Sequence, residues 1–265
     1  MPAAQRFGRT MGSTNEDRQR RLVMIVEERN RASVNQLSAE LGVSKETVRR
    51  DLAWLDRKGL IQKTHGGAAS AHSAAETSFL KRSERQLREK QVIARLVNDL
   101  LSPGETLMMN AGTTVYAVAN AISARNDLTV VTNSLDVGSR LLHARGGNSI
   151  VLLGGSLGQD SQTFGEMTLA EIRGFRVDHA ILTVGAIDGE SIFVDFSPEV
   201  ASVVRAMMGQ AKLTTIVADS SKFGRTALVE VCKLSAVHRV VTDTMPDSAI
   251  SAALRRKNVE LICPA

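Results

Sequence analysis

The sequence predicts a chain of two parts: a small helical unit closed by a β-hairpin, then an α/β domain built on a mainly parallel sheet. Two patterns and a bulk property carry this. Apolar residues recur at helical spacing across residues 16–55, and a short apolar step with paired glycines follows at 59–68. From Pro103 onward apolar runs of strand length alternate with amphipathic stretches of helix length. Apolar residues make up 43% of the 265, enough for a sizeable core, and with 3% aromatics that core is aliphatic.

Composition also excludes several classes. No apolar run reaches the length of a membrane span. Residues 1–17 are polar and lack the apolar stretch of a signal peptide, so a cytoplasmic location without membrane contact is expected. Cys232 and Cys263 stand far apart, with no CxxC and no histidine at ligand spacing; they read as structural thiols. Neither a metal nor a cofactor is expected. The net charge of +5 suits a polyanionic partner without requiring one.

Residues 1–15, rich in Gly, Ser, Thr and Ala, are expected to form a flexible tail. A first helix over 16–30 buries Leu22, Ile25 and Val26. Ser33 opens a second, with Gln36 three positions on as a capping box requires. Leu37 and Leu41 share its apolar face, and Gly42 ends it in the left-handed conformation. Ser44 then caps a third helix. Val48, Leu52 and Leu55 turn inward at i, i+4 and i+7, which leaves Lys45, Glu46, Thr47, Arg49 and Arg50 pointing out. Two helices joined by a glycine turn match the helix-turn-helix plan, whose second helix enters the major groove of double-stranded DNA. The step at 59–68 reads as a wing whose Lys63 and His65 reach phosphate or the minor groove. Ser44, Lys45, Thr47, Arg49, Arg50, Lys63 and His65 are therefore the expected DNA-contacting set, and 16–70 a winged helix-turn-helix domain.

Residues 71–90 read as a linker. An Ala, Ser and His stretch gives way to Phe79, Arg82, Arg85, Glu89-Lys90 and Ile93-Ala94 at helical spacing. This segment either transmits a signal or docks as a partly solvated helix, and the two readings are compatible.

Over 91–265 the expected strands are 105–110, 129–132, 149–154, 179–184, 214–218 and 239–242. Helices fit 114–123, 135–143, 168–173, 199–210 and 247–257. Ligands of such sheets bind beyond the carboxyl ends of the strands. The residues there repeat one theme: Gly112-Thr113-Thr114, Asn133-Ser134 and Gly154-Gly155 each follow a strand. Free N–H groups at a helix start and close approach to a glycine backbone both favour a phosphate. Lys222, just past another strand, offers a cation, and Asp188 a carboxylate for hydroxyl hydrogens.

The run Val48-Arg49-Arg50-Asp51-Leu52, with Leu55, Gly59-Leu60-Ile61 and Thr64-His65-Gly66-Gly67-Ala68, resembles the DeoR family of bacterial repressors. Further on, "AGTT", "VVTNS", "LLGG", "GFRVDHAIL", "AID", "VRAMM", "ADSSKFG" and "VVTD" resemble its effector domain, in order and at suitable spacing. The stretch 187–196 and the ending Val259-Glu260-Leu261 are most similar to the glycerol-3-phosphate repressor subgroup. The resemblance implies an effector domain of ribose-5-phosphate isomerase-like fold. It implies Thr47, Arg49 and Arg50 dividing base-edge and phosphate contacts, with Asp51 orienting an arginine. It also implies a repressor of a sugar or polyol operon, relieved by a phosphorylated sugar or polyol such as glycerol-3-phosphate. A homo-oligomer, dimer or tetramer, is expected because one reading head contacts few base pairs. The chain departs from the family pattern at Asn110, where aspartate is usual, and at Gly158, where arginine is common. Val200 and Val204 replace a carboxylate and a lysine. The alternative, an isomerase with an appended DNA-binding domain, would draw a general base and an oxyanion partner from Lys222, Asp188 and Glu199. Asn110 and Val200 remove two carboxylates from that chemistry, so no enzyme is expected.

Overall fold

Ser33 and Ser44 set the geometry of the first unit. In the computed structural model, which describes residues 15–29, 31–58, 60–64, 66–70, 79–158, 161–188 and 192–264, each serine ends an extended segment and starts a helix. The chain divides into two units, 1–74 and 75–265.

The first unit runs α1 (Asn15–Glu28), β1 (Arg31–Ser33), α2 (Val34–Leu41), α3 (Lys45–Arg57), β2 (Ile61–Thr64) and β3 (Gly67–Ser70). Ser33 and Gln36 form the reciprocal capping box, and Gly42 closes α2 at φ 64°. Leu22, Val26, Leu37, Val48 and Leu52 are fully buried in one apolar cluster, so three short helices share a core that none could bury alone. The hairpin β2–β3 forms with Thr64 opposite Gly67. A third strand, β1, pairs with β3 and is not in the sequence pattern, since three residues carry no readable alternation. Gly67 is required there: a Cβ would meet the backbone of Ala32 and Ser33.

The second unit begins with α4 (Phe79–Glu84) and α5 (Leu87–Leu100). It then alternates β4 (Thr106–Met109), α6 (Thr113–Ile122), β5 (Thr129–Thr132), α7 (Leu135–Leu142) and β6 (Ser149–Leu152). After a hairpin, β7 (Ser156–Leu157) with β8 (Thr163–Phe164), come α8 (Glu166–Arg173) and β9 (Val177–Leu182). The remainder is β10 (Ala186–Ile187), β11 (Ile192–Asp195), α9 (Pro198–Met208), β12 (Ala211–Val217), β13 (Val229–Lys233), β14 (Arg239–Val241), α10 (Ser248–Arg256) and β15 (Glu260–Ile262). Seven strands form an all-parallel sheet in the order β15-β14-β12-β9-β4-β5-β6. Its seventh strand, β15, and the small antiparallel sheet β10-β11-β13 lie beyond the sequence expectation of six strands.

Strand alternation divides the core into two layers. Leu107, Met109, Val130 and Ile181 pack with Ile93 and Val97 of α5, Val115 and Val118 of α6 and Leu141 of α7. Met108, Val131, Ala180 and Leu182 pack with Ile172 of α8, Val204 and Met207 of α9 and Leu254 of α10. A sheet covered on both faces needs apolar residues at nearly every position, which is how these strands read. At the amino edge Asp178 accepts from Thr106 (N 3.0 Å, Oγ1 2.6 Å) and from Lys212 Nζ (2.8 Å), tying three strands; these bonds hold its pKa well below the usual carboxylate range.

Candidate DNA-binding face and effector site

Ser44 Oγ accepts from the N–H of Thr47 (3.1 Å) and lies 2.9 Å from Thr47 Oγ1, so both side chains are fixed at the start of α3. Lys45, Arg49 and Arg50 are exposed along the same helix. Glu46 sits between the arginines, 3.6 Å from Arg49 and 3.8 Å from Arg50. Such exposed pairs are worth roughly 0–1 kcal/mol, so they orient the guanidinium groups without locking them. Lys63 is exposed on the wing, and its backbone N–H donates to Asp56 Oδ1 (2.7 Å), which pins the wing to the end of α3. His65 lies outside the described residues.

Asp51 faces inward. Its carboxylate accepts from Arg18 Nε (2.7 Å) and Nη2 (3.2 Å) and from Gln19 Nε2 (3.1 Å). The arginine it orients is therefore on α1 and not on its own helix. This bond raises the Arg18 pKa above its ordinary value against the opposing effect of burial. Trp54, the sole tryptophan, is 39% exposed one turn beyond Arg50, with the Lys58 ammonium 5.8 Å from its ring centroid. Its i+4 relation to Arg50 is legible in the sequence, but nothing there shows that it stays uncovered.

In the second unit, Gly112-Thr113-Thr114, Asn133-Ser134 and Gly154-Gly155 lie at the carboxyl ends of the adjacent strands β4, β5 and β6. Their chemistry differs. Gly112 begins α6 with no side-chain cap, and any Cβ there would strike the Thr183 methyl. The first-turn donors of α6 therefore carry the partial positive charge of an uncapped helix start. At α7, by contrast, Ser134 Oγ accepts from Val137 N–H (3.3 Å) and caps the helix. Asn133 is fully buried; its Nδ2 donates to Thr163 O (3.0 Å), while its Oδ1 has no hydrogen-bond partner. The Gly154 N–H donates to Glu171 Oε2 (2.6 Å), and Gly154 O accepts from Thr168 Oγ1 (2.7 Å). That donor is already engaged by a carboxylate, so the third turn is the least suited of the three to an anion.

Lys222 ends a 3₁₀ turn, Ser220–Lys222, beyond β12, two places from β4 in the sheet. Asp188 lies in the β10–β11 turn, where its Oδ1 accepts from Ile192 N–H (2.7 Å), and not in a strand-to-helix turn of the main sheet. A bridge between Ile187 and Phe223 joins the Asp188 and Lys222 loops. Around Lys222 the sequence patterns do not single out three residues that matter: Asp219, Asp195 and Lys90. Burial pulls the Lys222 pKa down, opposed by Asp219 and Asp195; burial likewise lowers Lys90, opposed by Asp219. Burial pushes the Asp195 carboxyl up, against the N–H groups of Ser197 and Phe196.

The departures from the family pattern have structural partners. Asn110 Nδ2 donates to Thr183 O (3.0 Å) and its Oδ1 accepts from Thr183 N–H (2.9 Å), clipping the ends of β4 and β9 together. A Cβ at Gly158 would press on the Phe164 ring. Val204 is fully buried in the core, and Val200 packs against it.

A helix-turn-helix face with outward arginines, joined in one chain to a parallel α/β domain, defines a two-domain transcription regulator. Residues 18–74 match the model of a DeoR-like helix-turn-helix domain and residues 85–244 that of a DeoR C terminal sensor domain. The HTH-type transcriptional repressor CsqR of Escherichia coli (strain K12) is 35% identical over 252 residues, 95% of this chain and 96% of that protein. The glycerol-3-phosphate regulon repressor of Haemophilus influenzae is 36% identical over 246 residues, 93% and 96%. The chain belongs to the DeoR family and is a DNA-binding transcriptional repressor, not an enzyme. Among solved structures, ribose 5-phosphate isomerase A from Methanocaldococcus jannaschii aligns at TM-score 0.39 and 12% identity, over 52% of this chain and 55% of that one. No described helix is long and apolar enough to cross a membrane, and the described residues hold no group of three or more His, Cys, Asp or Glu able to bind a metal.

Proposed function

We propose that this repressor acts in the cytoplasm on a sugar or polyol catabolic operon and is released from DNA by a phosphorylated sugar or polyol of the glycerol-3-phosphate class. The uncapped start of α6 at Gly112 carries the effector half of this reading. It supplies backbone donors and helix-end charge at the carboxyl edge of a parallel sheet, where a phosphate is best stabilised. Lys222 supplies a cation from the neighbouring loops, and Thr113, Thr114, Asn133, Ser134, Gly155 and Asp188 the polar surroundings; Gly154 acts through its lack of a side chain. Two relatives at 36% and 34% identity bear the name glycerol-3-phosphate regulon repressor, which supports that choice of effector class.

On the DNA side, Arg49 and Arg50 read base edges or phosphates, Ser44, Lys45 and Thr47 set the helix start against the backbone, and Lys63 and His65 carry the wing. A homo-oligomer, dimer or tetramer, pairs the reading heads, and each pair doubles the site. The test is operator binding by fluorescence anisotropy across a salt series, with and without glycerol-3-phosphate. Affinity is expected to fall steeply with salt as arginines displace counterions. Arg49→Ala or Arg50→Ala should cost about 1–3 kcal/mol where a bidentate base contact is lost. Unchanged affinity in both variants would sink the recognition-helix reading. Absence of any thermal shift with glycerol-3-phosphate or related esters would sink the effector reading.

A further inference from the structure

One buried cation serves neither the recognition face nor the phosphate site directly. Lys90, on the first full turn of α5, is 4% exposed. An ammonium so placed must spend its donors on protein acceptors. Lys90 Nζ donates to Arg82 O (2.6 Å) and to Arg85 O (2.5 Å). Both carbonyls belong to α4 and the turn that ends it. They are chain-end carbonyls that the six-residue helix itself leaves unpaired, and they carry its negative end.

The other end of α4 is held separately. The Phe79 ring meets Tyr116 of α6 edge-on, with centroids 5.4 Å apart and planes at 87°. Tyr116 donates its backbone N–H to Gly112 O (2.8 Å), the first rung of α6. So α4 is held against the start of α6 through Phe79 and against α5 through Lys90. Asp219, 2% exposed, is a counter-charge that Lys90 and Lys222 share, and its Oδ1 is already accepting from the Ser221 N–H (3.1 Å). A phosphate at the start of α6 would act on the Gly112–Tyr116 turn against which the Phe79 ring of α4 packs. In sequence, α4 is the first described element after the 71–78 connector to the DNA-binding unit.

We infer that Lys90 is a positioning residue that fastens α4 to the effector domain through the Arg82 and Arg85 carbonyls, so that α4, held at its other end by Phe79 against Tyr116, responds to occupancy of the phosphate site at the start of α6. The fastening stands on the contacts alone; the relay rests on the effector reading above.

The experiment uses the full chain and its Lys90→Met variant, which keeps the apolar stem and removes the charge and donors. Hydrogen exchange of amides 79–86 is expected to speed up about tenfold or more, with α5, α6 and the sheet as protected as before. Unchanged exchange in 79–86 overturns the fastening. If the variant loses protection throughout, Phe79→Ala replaces it, and the same local loss at 79–86 is required of it. In operator binding, glycerol-3-phosphate is expected to weaken the unmodified protein by about tenfold or more, within the usual span of allosteric coupling. Lys90→Met should keep its operator affinity and its thermal shift with glycerol-3-phosphate, yet show a coupling ratio near one. Lys90→Arg should restore part of it. A full ratio in Lys90→Met overturns the relay. If the unmodified protein gives neither thermal shift nor weakened binding, the effector reading fails and the relay with it, while the exchange result still decides the fastening.

Discussion

Replacing Asp51 by Ala separates a structural from a DNA-contacting role for the acidic residue of the Arg-Arg-Asp-Leu motif. In the structure its carboxylate takes three hydrogen bonds, two from Arg18 and one from Gln19, and is 5% exposed against 16% for the Arg18 side chain. Removing one partner of a fully buried ion pair costs about 3–5 kcal/mol. Arg18 keeps some access to water, which lowers the expectation to about 2–4 kcal/mol. A unit of this size loses on the order of 4–8 °C of melting temperature per kcal/mol, so its transition should move down by roughly 8–32 °C. Trp54, the sole tryptophan, sits on α3, so its fluorescence in a denaturant titration follows this unit specifically. Once folded at low temperature, the variant should bind operator with the salt slope of the unmodified protein, since no phosphate contact is lost. Two results refute the reasoning. An unshifted Trp54 transition means the Arg18 pair does not stabilise the fold. A rise in operator affinity with an altered salt slope means Asp51 faces the phosphates.

Three further outcomes follow from the second unit. Gly112→Ala forces a Cβ onto Thr183 and should cost about 1–3 kcal/mol, abolishing the thermal shift with glycerol-3-phosphate while leaving operator binding intact. His179 is 1% exposed, its Nε2 2.6 Å from Thr215 Oγ1, and burial pulls its pKa from 6.5 down to about 4. Its folded pKa lies below its unfolded one, so the unfolded chain binds the extra proton, and stability should fall as pH drops from 6.5 towards 4 by about 3 kcal/mol. Urea denaturation over that range should show the slope, and His179→Gln should flatten it; an equal slope in both would assign it elsewhere. Asn110→Asp replaces the Nδ2 donor with an oxygen facing Thr183 O, and a loss of about 1–3 kcal/mol on thermal denaturation is expected.

What sequence revealed divides along the range of the interactions. The first unit's helices were legible because their signals are local: Ser33 with Gln36, the left-handed Gly42, Ser44 before Val48, Leu52 and Leu55. The parallel strands were legible because burial on both faces makes each an apolar run. Strands of two or three residues, such as β1 and β10, have no room for a period and exist only through their partners. At the candidate site the turns after the strands were visible, but their occupancy was not. Nothing near Gly154 announces that Glu171, on a later helix, takes its N–H, and nothing near Asn110 announces Thr183, 73 residues later, as its partner. Such pairings are set by tertiary packing, which leaves no mark at short sequence distance.

The positions that depart from the family pattern show the same principle from the other side. Read as text, Asn110, Gly158, Val200 and Val204 are charges missing from a pocket. In the fold each answers to a neighbour. The Asn110 amide both donates to and accepts from the Thr183 backbone, which a carboxylate cannot do. Gly158 lies where a side chain would strike Phe164, and Val204 has no access to water, so a lysine there would be an unpaired buried charge. Restoring the family charge at Asn110, Gly158 or Val204 is therefore expected to strain the fold, whereas Val200 is only partly buried. Asn110 holds β4 to β9 and so sets the spacing between the Gly112 turn and the loop ahead of Asp188. On the effector reading proposed above, a change of effector class is expected to need these positions and their neighbours to change together, because Asn110 holds the strands that carry the Gly112 turn.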